Sequence, residues 1–285
     1  MANSRQGGKV LLTVDLSYQC YRAAAAHPML TCRDVFTGGL YGFLVTMAKI
    51  VRETQATHMV ICQDRKPYLR SKAYPEYKML RKKSADDELL KRHKQSMVLI
   101  LDLLDALDYP VWGVDGFESD DLAAHAAIQN RHRFDWIYAA TNDSDAFQLL
   151  WIPNFGIYSK DLASVMTGKK LVQAQGLTPD EFMLMTALTG THNDVAGIPK
   201  VGPVTAKNAI ANPALMRSLH DSHGDVIDRN LGLIKLPHPE FPRIAKMPRW
   251  AGGFDQRAFI RHLARYDIDV TMSMVNAFEQ LDPQQ

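Results

Sequence analysis

The sequence predicts an α/β protein: a mostly parallel central sheet with helices on both faces, followed by a helical C-terminal region. Short apolar runs alternate with helical windows as far as about Ser159. Beyond that point the strand-like runs cease, and helical windows are separated by Gly- and Pro-rich turns. Each of the first four apolar runs is also followed closely by acid, which is where open parallel sheets place their ligands.

Taken in order, "KVLLTVD" is a short apolar strand. From about Gly39 to Glu53, Leu40, Phe43, Leu44, Met47, Ile50 and Val51 recur at three and four, the period of an amphipathic helix. "THMVICQD" is a second strand and leads into a basic stretch. A helix from about Glu88 to Leu107 presents Met97, Ile100, Leu101 and Leu104. "YPVWGVD", "DWIYAAT" and "FGIYS" are the third to fifth strands, with helices over "SDDLAAHAAIQN" and "SDAFQLLW" between them. Pro179 to Leu188, Pro203 to Ile210, Gln256 to Tyr266 and Met272 to Leu281 read as further helices. No internal repeat interrupts this order.

The totals narrow the function class. A chain of 285 residues with 46% hydrophobic content can bury a substantial core. No apolar run approaches the roughly 18 residues of a membrane span, and "MANSRQGGK" lacks the apolar core of a signal peptide. Cys20, Cys32 and Cys62 are widely spaced and form no CxxC, so neither a disulfide framework nor a thiolate zinc site is indicated. A reducing cytoplasm is the expected compartment. Net charge is only +2, yet residues 65 to 94 carry eleven cations against four anions, a local excess of +7. An acidic partner is expected to dock there.

The strand ends carry the chemistry. The first delivers Asp15, the second Asp64, the third Glu118, Asp120 and Asp121, and the fourth Asp143 and Asp145. Acids at 118 to 121 could simply rest on a helix N-terminus. Capping does not explain why the other strand ends do the same. Like charges this dense need cations, and Mg²⁺ or Mn²⁺ suits carboxylate and water oxygen, whereas zinc would want His or Cys ligands. Two such ions ~4 Å apart can activate a water and clamp a phosphodiester. Lys and Arg of the basic stretch would hold the neighbouring phosphates. A phosphatase DxD and a dinucleotide-binding GxGxxG are both missing after the first strand.

From about Val10 to Pro237 the chain resembles the 5′ nucleases, which include the 5′-to-3′ exonuclease domain of bacterial DNA polymerase I and the phage flap endonucleases. "VDLSYQCYRA" resembles the first family block, with Leu16 where many members have Gly; "QDRKPYLRSKAYPEYKMLRKK" resembles the second, and "GFESDDLAA" and "ATNDSDAFQLL" the third and fourth. The resemblance implies a PIN-like core over residues 1–185 that carries a basic helical arch at about 65–95. It makes Asp15 a metal ligand flanked by Tyr21 and Arg22, and it sends Lys78 and Arg81 to the scissile phosphate. Arg70, Lys72, Tyr77, Lys82 and Lys83 would contact DNA. Lys82 and Lys83 read equally as a solvated face, and Tyr74 and Tyr77 either stack on bases or pin the arch to the body.

"GIPKVGPVTAKNAI" resembles the family's helix-hairpin-helix element, which implies a helical DNA-binding region over 186–285. Gly197, Lys200, Gly202, Thr205 and Lys207 would grip duplex backbone, with K⁺ as a further ligand in some members. One departure stands out. Where many members read "GDxxDN", this chain reads "GTHNDVAGIP", so Asp194 fits the second acid and Thr191 replaces the first, or a slip of one pairs Asn193 instead. His192 is a further candidate ligand. A first metal held by Asp15, Asp64, Glu118 and Asp120 is expected, with a weaker second held by Asp143, Asp145 and Asp194, and Asp121 bordering both.

The function expected is that of a standalone, monomeric, metal-dependent 5′-to-3′ exonuclease and flap endonuclease acting on DNA with a free 5′ end. No polymerase segment is expected after Gln285, and a role in phage or plasmid replication fits the resemblance. Two alternatives stay open: a structure-specific DNA-binding protein with weakened chemistry, and a PIN-like RNA-directed nuclease.

Overall fold

The structure is a computed structural model that describes residues 8–79, 87–191 and 193–281. Arg81, Lys82, Lys83 and His192 therefore lie outside the described residues.

Strand β1 (Val10–Asp15) is the centre of a five-stranded sheet in the order β5-β4-β1-β6-β7, with every pairing parallel. The chain steps outward from β1 through β4 (His58–Cys62) to β5 (Val111–Trp112). It then returns to the other side of β1 for β6 (Trp136–Ala140) and β7 (Phe155–Tyr158). That reversal makes the carboxyl ends of β1 and β6 the topological switch point, where the following segments diverge and leave a crevice. β2 (Thr31–Cys32) and β3 (Val35–Phe36) form a separate small hairpin, turned through Arg33 and Asp34 with positive φ.

Both sheet faces are covered, as β1 requires with Leu11, Leu12 and Val14 all fully buried. One face packs against α1 (Leu16–Ala26), α2 (Gly38–Thr54) and α4 (Asp87–Ala106). The other packs against α5 (Ser119–Asn130), a 3₁₀ helix (Ser144–Trp151) and α6 (Gly168–Gln175). β5 is shorter than "YPVWGVD" suggested, because it is an edge strand bounded by Pro110 and Gly113 and pairs only with Ile61 and Cys62. α1 escaped the sequence reading; Asp15 caps it by accepting the Tyr18 N–H.

A second small core joins α7 (Pro179–Thr189), α8 (Pro203–Ala211) and α9 (Pro213–Ile234) through Leu188, Ile198, Ala206 and Ile227. The expected division after residue 185 does not coincide with a packing boundary. α7 starts before it, and α10 (Gln256–Ala264) and α11 (Met272–Gln280) return to the first core through Phe259, Leu263, Met274 and Phe278. Among the described residues no helix is long and apolar enough to cross a membrane.

The basic stretch also differs from expectation. Its first part, containing α3 (Leu69–Ala73), is fastened to the body and is not part of a free arch. Arg65 N–H donates to the Phe117 carbonyl, Gly116 N–H to Arg65 and Leu69 N–H to Gly116, at 3.0, 3.0 and 2.9 Å.

Candidate active site

Four of the expected acids meet at the carboxyl edge of the sheet. Asp15 ends β1, and its Oδ1 accepts the Tyr18 N–H at 3.0 Å. Asp64, two residues past β4, accepts the Ser119 N–H at 2.8 Å, which draws the start of α5 towards β4. Asp120 then lies in the first turn of α5 and lines a cleft with Asp15, Thr13, Thr141 and Leu236. Asp143 follows β6 and caps the 3₁₀ helix, accepting the Asp145 N–H at 2.9 Å.

The crowding shows in the proton affinities. Burial, and then the Asp64 charge, pushes the Asp15 carboxyl up to about 7. Burial, followed by Asp143 and Asp15, raises Asp120 well above the carboxylate range. Proteins rarely bury repelling carboxylates without a compensating cation, and the donors here are hard oxygens suited to a divalent ion. Among the described residues no three acid, His or Cys groups stand in ready coordination geometry, so an ion would have to draw the carboxylates together.

A consequence is testable without substrate. Between about pH 4 and 7 the folded protein binds more protons at Asp15 than the unfolded chain does, so the Asp15 contribution to stability is lost as pH rises through that window. In EDTA the melting temperature is expected to be lower at pH 8 than at pH 5. Mg²⁺ should restore more of it at pH 8, and a melting temperature that rises with pH in EDTA would contradict this account.

Two of the expected ligands need correction. Asp121 is fully buried, and both its oxygens are saturated. Oδ1 accepts from Arg70 Nη2 at 2.8 Å and His238 N–H at 2.7 Å; Oδ2 accepts from Arg70 Nη1 at 2.6 Å and Glu118 N–H at 3.1 Å. It has no lone pair left for a metal. Glu118 is partly committed as well: Oε2 accepts from Arg70 and from the Tyr77 hydroxyl, and Oε1 accepts from Lys78 Nζ. Only Oε1 keeps capacity for a cation.

The same network removes Arg70 and Tyr77 from the expected DNA contacts. Arg70 is 3% exposed, and its remaining donors reach the Leu233 and Lys235 carbonyls at 2.7 and 3.0 Å. Tyr77 is buried, so it fastens this segment to the body and offers no face for stacking on a base. Lys78, with positive φ, turns its ammonium into the acid group; burial opposes the charge, but Glu118 overrides it and raises the Lys78 proton affinity. Tyr68, absent from the sequence expectations, packs over Lys78 at 5.9 Å and faces Asp64. Its only signal was an aromatic ring within a basic run.

The remaining positions lie further out. Tyr21 is exposed and meets His93 edge-on, while exposed Arg22 reaches the Ser159 carbonyl at 3.3 Å beyond β7. Lys72 is exposed. Asp145 accepts from Asn193 Nδ2 at 3.3 Å, and Asp194 follows in a left-handed turn. Thr191 Oγ1 accepts the Asn193 N–H at 3.0 Å, so it shapes this loop.

In the hairpin, Gly197 serves close packing and leaves no space for phosphate: an added Cβ would lie 2.2 Å from the Thr189 carbonyl carbon. Gly202 is different, with nothing within 4 Å, and it opens α8 beside exposed Lys200 and Thr205. Lys207 instead donates to the Gln175 carbonyl at 2.8 Å, tying α8 to the end of α6.

Residues 10–176 match the model of a family described as "5′-3′ exonuclease, N-terminal resolvase-like domain". DNA polymerase I of Mycobacterium tuberculosis is 29% identical over 231 residues, 77% of this chain and 25% of that protein. The chain thus spans about a quarter of the length of the DNA polymerases it matches. A 5′-3′ exonuclease of Aquifex aeolicus is 28% identical over 205 residues, covering 71% of this chain and 69% of that one. Among solved structures, the bacteriophage T5 flap endonuclease complexed with DNA and metal ions superposes with TM-score 0.68 at 17% identity, covering 95% of this chain and 100% of that chain. Flap endonuclease-1 of Methanococcus jannaschii gives 0.62 at 14% identity, covering 96% and 93%. These two establish likeness of fold.

Proposed function

The chain belongs to the 5′-3′ exonuclease family, whose N-terminal domain spans residues 10–176, and from that premise we propose that it is a divalent-metal-dependent 5′ nuclease hydrolysing DNA phosphodiesters from a free 5′ end, including at flaps. The carrying observation is the half-buried, mutually repelling set of Asp15, Asp64, Asp120 and Asp143 at the switch point of a parallel sheet. Relatives named as a 5′-3′ exonuclease and as a flap endonuclease complexed with DNA and metal ions support the same reading.

Asp15, Asp64 and Asp120, with the Oε1 edge of Glu118, would hold one Mg²⁺ or Mn²⁺. Asp143, Asp145 and Asp194 would hold a weaker second. Ions held there would supply Lewis-acid chemistry to the scissile phosphate and to an attacking water. The protein supplies the rest. Lys78, held at the acid group by Glu118, can exchange that contact for a phosphate oxygen and offset charge developing in the transition state. Arg70 and Tyr77 fix Glu118, while Tyr21 and Arg22 would contact the strand as it approaches. At the far side, the open start of α8 at Gly202 offers backbone N–H groups to a duplex phosphate, with K⁺ as a candidate companion.

The test is a labelled 5′-flap DNA, its all-RNA counterpart and a product ladder, in Mg²⁺ or EDTA. Mg²⁺-dependent cleavage of the DNA to 5′-phosphorylated mono- or oligonucleotides is expected. Nanomolar flap binding without turnover would leave a binding protein, and preferential cutting of RNA would make the substrate RNA.

A further inference from the structure

Asn193 combines burial, a fixed backbone and an oriented side chain. It is 2% exposed. It is held rigidly, since its N–H donates to Thr191 Oγ1 at 3.0 Å and its carbonyl accepts the Lys78 N–H at 2.9 Å. Its side chain is also oriented: Nδ2 donates to Asp145 Oδ2 at 3.3 Å, which fixes which amide atom is which, because the opposite orientation would set oxygen against oxygen. With the amide so placed, Oδ1 is buried and finds no hydrogen-bond partner among the described residues.

A buried acceptor left unpaired costs on the order of 1–3 kcal/mol, so it persists in a native site chiefly where a ligand completes it. Oδ1 shares its amide with the nitrogen that touches Asp145, one of the acids given to the weaker ion. A carbonyl oxygen is a hard, neutral donor of the kind that divalent oxygen sites accept. Thr191 Oγ1 already accepts the Asn193 N–H, whereas Asn193 Oδ1 accepts nothing among the described residues.

We propose that Asn193 Oδ1 is a neutral oxygen ligand of the divalent ion on the Asp143–Asp145 side, occupying a place where a carboxylate would bind more strongly. This inference rests on the nuclease reading for the presence of that ion, and it specifies which atom of this chain completes the shell and why that ion is the weaker one. The chain trades metal affinity for a smaller repulsion in the metal-free site, since a further carboxylate beside Asp145 would add to the charge already crowded there.

The experiment is Mn²⁺ binding to the whole protein without DNA, followed by calorimetry and by the electron paramagnetic resonance of free Mn²⁺. Native protein is expected to show a tighter and a weaker class of site. Asn193→Ala should weaken the weaker class at least about tenfold, the usual scale for losing a supporting group at a metal, and leave the tighter one in place. Asn193→Asp should tighten the weaker class by a similar factor, lower the melting temperature in EDTA and give a larger stabilisation by Mn²⁺ than native protein shows. Unchanged Mn²⁺ binding in folded Asn193→Asp overturns the proposal even if Asn193→Ala fails to fold, as does a melting temperature lowered in EDTA that Mn²⁺ does not recover. Native protein that binds two classes of Mn²⁺ and responds to Asn193→Asp yet cuts no nucleic acid would overturn the nuclease reading alone. Native protein that binds no Mn²⁺ overturns both.

Discussion

Asp120→Asn is expected to reduce cleavage of a 5′ flap about a thousandfold or more while leaving flap affinity within a few-fold of native. The change replaces a carboxylate that Asp143 and Asp15 both repel with a neutral amide. A factor of a thousand corresponds to about 4 kcal/mol of transition-state stabilisation, a reasonable share for a direct ligand of a catalytic ion. The duplex contacts proposed at α8 are remote from Asp120 in sequence and packing, so binding should survive. The same variant should also melt higher than native protein in EDTA, because the amide removes repulsion that the metal-free site must otherwise bear. Opposite signs for activity and metal-free stability separate a ligand from a structural acid. Cleavage retained within tenfold would remove Asp120 from the centre.

Arg70→Ala should destabilise the protein by about 3–5 kcal/mol, the scale for stripping one partner from a buried ion pair. All five guanidinium donor directions are in use, on Asp121, Glu118 and the carbonyls of Leu233 and Lys235. Without them Asp121 is left charged and fully buried. Because the contacts also join the end of α9 to the start of α5, activity should fall together with stability. Arg70→Lys keeps the charge but not the fork, and it should recover only part of the loss. Denaturant unfolding of native, Arg70→Lys and Arg70→Ala proteins checks this, and a loss below about 1 kcal/mol for the alanine variant would show that the network is not a structural joint.

These two predictions mark where the sequence was legible and where it was not. Asp120 and Asp121 are adjacent and chemically alike, and both read as metal ligands. On a helix, successive residues point about 100° apart. Asp120 therefore turns to the crevice at the strand ends, while Asp121 turns inward to Arg70. The basic stretch hid a similar division. Arg70 and Lys72 share α3, yet one is buried against acid and the other faces solvent. Gly197 and Gly202 look equivalent as glycines near a phosphate site, but only Gly202 has open space beside its backbone.

What the sequence determined by itself was the alternation of strands and helices, the parallel sheet and the placing of acids after successive strands. These follow from local periodicity and from the rule that parallel strands deliver their loops to one edge. What only the tertiary structure decided was how each charge is spent. Whether a carboxylate meets an arginine, a lysine or another carboxylate depends on contacts across long stretches of chain, such as Arg70 with Asp121 and Asn193 with Asp145. Burial then sets the cost of leaving any of them unpaired, and burial is a property of the packed whole that local sequence does not carry.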